Sequence, residues 1–181
     1  MSIALNPSPW YAALLTYKSG EFHEHGPTLG ALAYRWLAVH ADNLAVLLDG
    51  AADYVTIVPS KRGVSYDDQP LRKALAVVRP MQAQMRQVLR CPNRLTERLR
   101  EYRSEIFEVV RRVKRDRIVL VEDTWIGGAT ALSAAGALMD AGATSVAIAP
   151  IAREMKPSFH GKDHPYLDYL EGNFDIEFWP R

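Results

Sequence analysis

Short apolar runs alternate along the chain with longer stretches whose apolar positions fall at helical spacing. Ile118-Val119-Leu120-Val121 is an unbroken apolar run, followed at once by Glu122 and Asp123. Such a run predicts a short strand covered on both faces, as parallel strands are. A small-residue turn follows, then Ala131 to Ala141, an Ala-rich stretch that predicts a helix stopped by Gly142. Asp53 to Val58 predicts a second buried strand, and Ser145 to Ala149 a third that ends at Pro150.

Between these strands the period changes to that of a helix. Leu29, Leu32, Ala33, Trp36 and Leu37, then Leu44, Leu47 and Leu48, predict two helices parted near His40, with Asp42 as the second N-cap. Trp36 and His40 are expected to face the core and an internal interface. Trp10 to Gly20 is a short apolar segment that ends in a turn. Asp67-Asp68-Gln69 before Pro70 predicts a helix start, with Leu71, Leu75 and Val78 on its apolar face and Pro80 as its end. Val88-Leu89 and Ile106 to Val110 are candidate strands. Together these predict an α/β domain, doubly wound with a mainly parallel sheet. One domain over 1–181 is expected, with its core at about 14–153, a flexible basic loop, and a small cap at 154–181 that holds Phe159, Tyr166, Tyr169, Phe174, Phe178 and Trp179.

Composition adds little beyond bounds. With 181 residues, 48% hydrophobic and 24% charged, the chain suits one self-sufficient globular core. A net charge of +1 gives no overall argument for a nucleic-acid or membrane partner. Cys91 is the single cysteine, which excludes an internal disulfide framework and a multi-cysteine zinc site and makes a reducing cytoplasm the expected compartment. No basic-then-apolar leader and no apolar run of bilayer length is evident, so no membrane association is expected.

Two strand-to-turn junctions carry the chemistry. Glu122 and Asp123 can accept hydrogen bonds from two neighbouring hydroxyls, as on a ribose ring. Ile126, Gly127, Gly128, Ala129 and Thr130 form a turn into a helix, where backbone N–H groups can approach an anion. After the strand at 53–58, Ser60, Lys61, Arg62 and Gly63 offer a hydroxyl, two cations and backbone N–H groups to a diphosphate. A basic surface turn explains the second segment when it is taken alone. Two anion-suited turns, each after a strand, support one another.

Residues 86–117 hold eleven basic residues against five acidic ones, a net +6. They read either as a mobile basic loop or as a solvated helix face laced by i,i+4 pairs. His23 and His25 form a His-x-His pair with no third ligand nearby, so a polar loop is preferred and no metal ligand is expected.

Residues 118–130 resemble the phosphoribosyl pyrophosphate (PRPP) motif of the type I phosphoribosyltransferases. That motif has four apolar residues, two acids, two apolar residues and a hydroxyl-rich glycine turn closing on Thr. The apolar run, Glu122, Asp123, Gly128 and Thr130 match it. Thr124 and Trp125 fill the apolar positions loosely, and Ile126 and Gly127 stand where the family has hydroxyl residues. That departure removes two side-chain donors and leaves the backbone ones. Ser60-Lys61-Arg62 is similar to the family's pyrophosphate loop. Leu15-Thr16-Tyr17-Lys18-Ser19-Gly20 and the order Leu89-Arg90, Arg100-Glu101-Tyr102-Arg103, Phe107 resemble the competence-type (ComF-like) subgroup, whose flexible loop closes over the diphosphate. Arg100 and Arg103 are candidates for touching it.

The resemblance implies a type I phosphoribosyltransferase-like fold and transfer of a 5-phosphoribosyl group from PRPP to a nitrogen nucleophile, with release of pyrophosphate. Under it, Glu122 and Asp123 hold the ribose and stabilise the oxocarbenium-like charge. Residues 126–130 anchor the 5′-phosphate and Ser60, Lys61 and Arg62 the diphosphate, while Mg²⁺ is bound mainly through PRPP. The cap is one candidate for holding the acceptor, although aromatics that cover a sheet edge are the commoner explanation of such a tail, and a homodimer is expected. The alternative is a non-catalytic protein of the same fold that binds nucleotide or single-stranded nucleic acid.

Overall fold

The computed structural model describes residues 2–5, 9–18, 22–93 and 99–155. The element order is β1 (Ser2–Leu5), α1 (Pro9–Thr16), α2 (Phe22–Val39), α3 (Ala41–Leu48), β2 (Tyr54–Ile57), α4 (Pro70–Ala76), α5 (Arg79–Gln84), β3 (Leu89–Arg90), β4 (Glu108–Val109), β5 (Arg117–Trp125), α6 (Ala129–Asp140) and β6 (Ser145–Met155), with a 3₁₀ turn at Ser104–Ile106. Four strands form one sheet in the order β1-β6-β5-β2, every neighbouring pair parallel. β3 and β4 form a separate antiparallel pair.

Alternation along the strands sorts the core into two layers. Ile118 and Leu120 of β5, with Tyr54 of β2, pack on α6 and on Val88, Leu89 and Phe107 near the β3–β4 pair. Val119 and Val121, with Val55, Ile57, Ala147 and Ala149, pack on the other side against Ala33 of α2, Leu44 and Leu48 of α3, Leu71 and Leu75 of α4, and Met81 of α5. All four residues of the run at 118–121 are therefore buried, as a strand covered on both faces requires. At roughly 25 cal/mol per Å² of apolar area, a fully buried Leu or Ile contributes on the order of 1.5–3 kcal/mol, so these strand residues dominate the sheet's stability. A third cluster joins Leu14 and Tyr17 to Leu29, Ala74 and Ala152, tying α1 to the sheet and to α2 and α4. α2 crosses α4 at Gly30, where a Cβ would overlap the Ala74 carbonyl.

Several boundaries differ from the sequence reading, each for a physical reason. His40, not Asp42, is the N-cap of α3, and Asp42 sits in the first turn, where its charge suits the helix dipole. Pro80 lies in the first turn of α5 and does not end α4, because a ring there costs no intrahelical hydrogen bond. β5 continues through the acids to Trp125, since β6 also runs on and pairs with it as far as Arg153. Pro150 lies within β6 at a point where β1, which pairs only from Ala152, has not begun; a proline is tolerated where one side is unpaired. β1 was not foreseen, because four residues carry too little pattern. Gly142 does end α6, with φ of 95° and a bond from Ala143 N–H to the Leu138 carbonyl. Among the described residues no helix is long and apolar enough to cross a membrane. Most of the proposed cap, residues 156–181, lies outside the described residues, as do 94–98 of the basic stretch.

Candidate functional site

The sheet has a step at its carboxyl end. β2 pairs with β5 only up to Ile57–Val121, and a last bond joins Val58 N–H to the Val121 carbonyl. From Glu122 onward β5 keeps β6 on one side and, among the described residues, has no strand on the other. A cavity of about 400 Å³ opens there, the place where ligands enter open α/β sheets. Its lining includes the residues of both anion-suited turns and the acid pair: Ser60, Lys61 and Arg62 after β2, Glu122 and Asp123 on β5, and the turn from Ile126 to Thr130.

The turn after β2 is held from a distance. Ser60 N–H donates to Gln69 Oε1 at 2.9 Å, and Gln69, just before α4, is buried. Arg62 N–H donates to Ser60 Oγ at 3.3 Å, closing the turn locally. Lys61 spans the cavity: its Nζ donates to Thr130 Oγ1 at 3.1 Å, joining this turn to the first turn of α6. Arg62 is exposed.

The turn into α6 is shaped by glycine and tryptophan. Gly128 is the N-cap with φ of 79°, a conformation L side chains rarely adopt. Trp125 lies against it so closely that a Cβ on Gly128 would overlap the indole ring. Gly127 is exposed, and a Cβ there would meet nothing within 4 Å. Because a glycine N-cap has no side chain to accept from the first turn, backbone donors of α6 are left for a ligand.

The two acids have opposite environments. Tyr17 Oη donates to Asp123 Oδ2 at 2.5 Å, and Lys18 Nζ lies 2.8 Å from the same oxygen. Burial would raise the Asp123 carboxyl, but the Lys18 charge and hydrogen bonds from Lys18, Tyr17 and Thr124 outweigh it and hold Asp123 below the usual carboxylate range. Burial, and then the Asp123 charge, pushes the Tyr17 hydroxyl far up, so it remains a donor. Glu122 is half-buried, and its Oε2 has no hydrogen-bond partner among the described residues. Burial first, then the neighbouring Asp123 charge, raises its carboxyl, with Lys18 and Lys61 opposing. The pair therefore holds one ionised acid, clamped by protein, and one acid with unspent hydrogen-bonding capacity.

Sequence reasoning named Tyr17 and Lys18 as part of a segment but gave them no role at the acids, and it missed Gln69 and Glu154, which also line the cavity. The placement of Arg100 and Arg103 differs from expectation. Neither lines the cavity; the Arg103 guanidinium pairs with Glu105 at 3.0 Å, and its backbone N–H donates to Ser133 Oγ on α6 at 2.8 Å. This ties the segment down on the helix. Among the described residues no group of three His, Cys, Asp or Glu side chains is placed to hold a metal. No family model matches the chain, and no curated protein matches it either.

Proposed function

We propose that the protein is a PRPP-dependent phosphoribosyltransferase of type I-like, doubly wound fold. The observation that carries this reading is the convergence of three segments on one cavity: the acid pair on β5, the Ser60-Lys61-Arg62 turn after β2, and the glycine turn into α6, bridged by Lys61 and Thr130. Departure of pyrophosphate from C1 builds positive charge on the ribose, so the protein's task is to hold the sugar and its phosphates in place and to oppose that charge. Asp123, kept ionised by its environment, stabilises the developing charge. Glu122 meets a ribose hydroxyl with the oxygen that has no partner. Backbone donors at 127–129 and the Thr130 hydroxyl take the 5′-phosphate, and Lys61 and Arg62 take the diphosphate. Mg²⁺ fits as an ion carried by the diphosphate, because Asp123 is already committed to Tyr17 and Lys18 and the protein has few oxygens to spare. It would neutralise charge on the leaving group.

One observation favours a second reading, a non-catalytic binder of nucleotide or single-stranded nucleic acid. The phosphate turn has Ile126 and Gly127 in place of hydroxyl side chains, and Trp125 crowds Gly128. Pyrophosphate release from PRPP and Mg²⁺ with a panel of nitrogen bases separates the two. Release with any base supports the enzyme. PRPP binding without release supports the binder, and no PRPP binding by the folded protein overturns the transferase reading.

A further inference from the structure

The cavity takes up only one end of the sheet. At the other end, where β2, β5 and β6 begin, lies the part of the basic stretch for which the proposed function has no use. Residues 110–116 link β4 to β5. This loop is built in, not merely solvated. Val110 N–H donates to the Val88 carbonyl at 2.9 Å, Arg115 N–H to the Gly142 carbonyl at 2.9 Å, and Thr144 N–H to the Asp116 carbonyl at 2.8 Å. Val113 is buried to 1% exposure in the core beside α6 and pins the loop's middle. Asp116 accepts from Tyr54 Oη at 2.9 Å, and the Arg86 guanidinium sits 4.9 Å from the centre of the same tyrosine ring.

With Val113 turned inward and Val110 left 37% exposed, the loop directs Arg111, Arg112, Lys114 and Arg115 into solvent, and Arg86 is exposed beside it. None of the five makes a salt bridge among the described residues, whereas Arg90 and Arg103 on the same stretch pair with Glu108 and Glu105. Two of the acids at this end have other work: Asp116 takes the Tyr54 hydroxyl, and Asp53 accepts from Arg117 N–H at 2.7 Å. Arg115 is held at φ of 72°, an uncommon conformation for a non-glycine residue.

We propose that this loop, with Arg86 beside it, is a docking surface for the phosphodiester backbone of a nucleic acid. Like-charged side chains held close together on a fixed loop repel one another, and a polyanion relieves that repulsion while releasing its own condensed counterions. Four of the five cations are arginines, whose planar fork matches phosphate oxygens better than an ammonium does. A lipid surface fits less well, because membrane association of this kind adds an inserted apolar face, and with Val113 buried the loop offers only the single exposed Val110 for one. The surface is independent of the cavity, at the opposite end of the strands, so it stands or falls separately from the transferase reading.

The test is fluorescence anisotropy of labelled oligothymidylate, oligouridylate and a DNA duplex across about 50–200 mM salt, with polyglutamate and phosphatidylserine vesicles as competitors. The expected result is binding to at least one oligonucleotide, with a slope of log K against log salt of about −3, for roughly four phosphates met at −0.7 each on a single strand. Arg111→Gln, Arg112→Gln, Lys114→Gln and Arg115→Asn together should weaken binding at least tenfold at low salt and flatten that slope; asparagine tolerates the left-handed conformation. Should the fourfold variant misfold, Arg111→Gln with Arg112→Gln alone, at two exposed positions, should remove about half the slope. Which oligonucleotide binds tightest identifies the source of the backbone. Wild-type affinity in the folded variants, no oligonucleotide binding by the wild type, or equally effective competition by polyglutamate or vesicles would overturn the proposal.

Discussion

Tyr17 and Asp123, separated by 106 residues of sequence, are joined by a 2.5 Å hydrogen bond from the tyrosine hydroxyl to the carboxylate. The bond couples the end of α1 to the carboxyl end of β5 and, after the Lys18 charge and hydrogen bond, helps to keep Asp123 the ionised member of the two adjacent acids. Lys18 supports it from the same segment at 2.8 Å. Replacing Tyr17 by phenylalanine keeps the buried ring and removes the donor. The expected loss of stability is about 1.5–3 kcal/mol, the range for a hydrogen bond to a charged group. PRPP affinity should fall along with stability, because Asp123 is then less well held. Denaturant unfolding and calorimetric titration read the two effects, and unchanged values in both would remove the clamp from the site.

Glu122 supplies a pH signature. Its carboxyl is pushed up to about 8 by burial and by the Asp123 charge. Between the unfolded value and that one, the folded chain keeps a proton that the unfolded chain has lost. Stability should therefore fall as pH rises through this window, with a slope approaching 1.4 kcal/mol per pH unit at about pH 5–8. Asp123 has a lowered value, so its contribution is already complete above about pH 5 and adds no slope there. Glu122→Gln should flatten the profile while weakening PRPP binding. Unfolding curves at a series of pH values check this; a Gln variant that keeps the slope would assign it elsewhere.

Gly128 is constrained twice, by φ of 79° and by the Trp125 ring. Gly128→Ala should destabilise the fold by about 1–3 kcal/mol, combining backbone strain with a steric overlap. Trp125→Ala in the same chain should recover the steric part and leave the conformational part. A double-mutant cycle by thermal unfolding measures the difference, and strict additivity would mean the ring does not press on the glycine.

Ile126 and Gly127 separate the enzyme from the binder. A threonine fits at 127, where a Cβ meets nothing within 4 Å. If PRPP is the substrate, Ile126→Thr with Gly127→Thr should tighten its binding by a few-fold to about tenfold, the worth of a restored hydrogen bond of about 0.5–1.5 kcal/mol. Calorimetric titration of both proteins with PRPP and Mg²⁺ decides. No gain from the double variant, with no pyrophosphate release by the wild type, would favour the binder.

Much of the architecture could be read from local pattern. The run Ile118 to Val121 is apolar because both of its faces are covered, and Gly142 follows α6 because the chain must leave the helix through a left-handed residue. The same local chemistry marked both anion-suited turns, and those residues do meet at one cavity. Pro80 shows where local reading stops: a proline marks a helix boundary, but which side of it the helix occupies depends on what the neighbouring segments pack against. The basic stretch shows it again. Its charges were visible, but only the placement of Val113 in the core and Arg103 on α6 put one half at the far end of the sheet and tied down the other. Tertiary structure alone set the different states of Glu122 and Asp123, the bridge from Lys61 to Thr130, and the ring over Gly128. Periodicity and turn preference are properties of neighbouring residues. A carboxylate's charge depends on what burial removes from around it and what distant segments bring back, and that is decided only when the sheet is assembled.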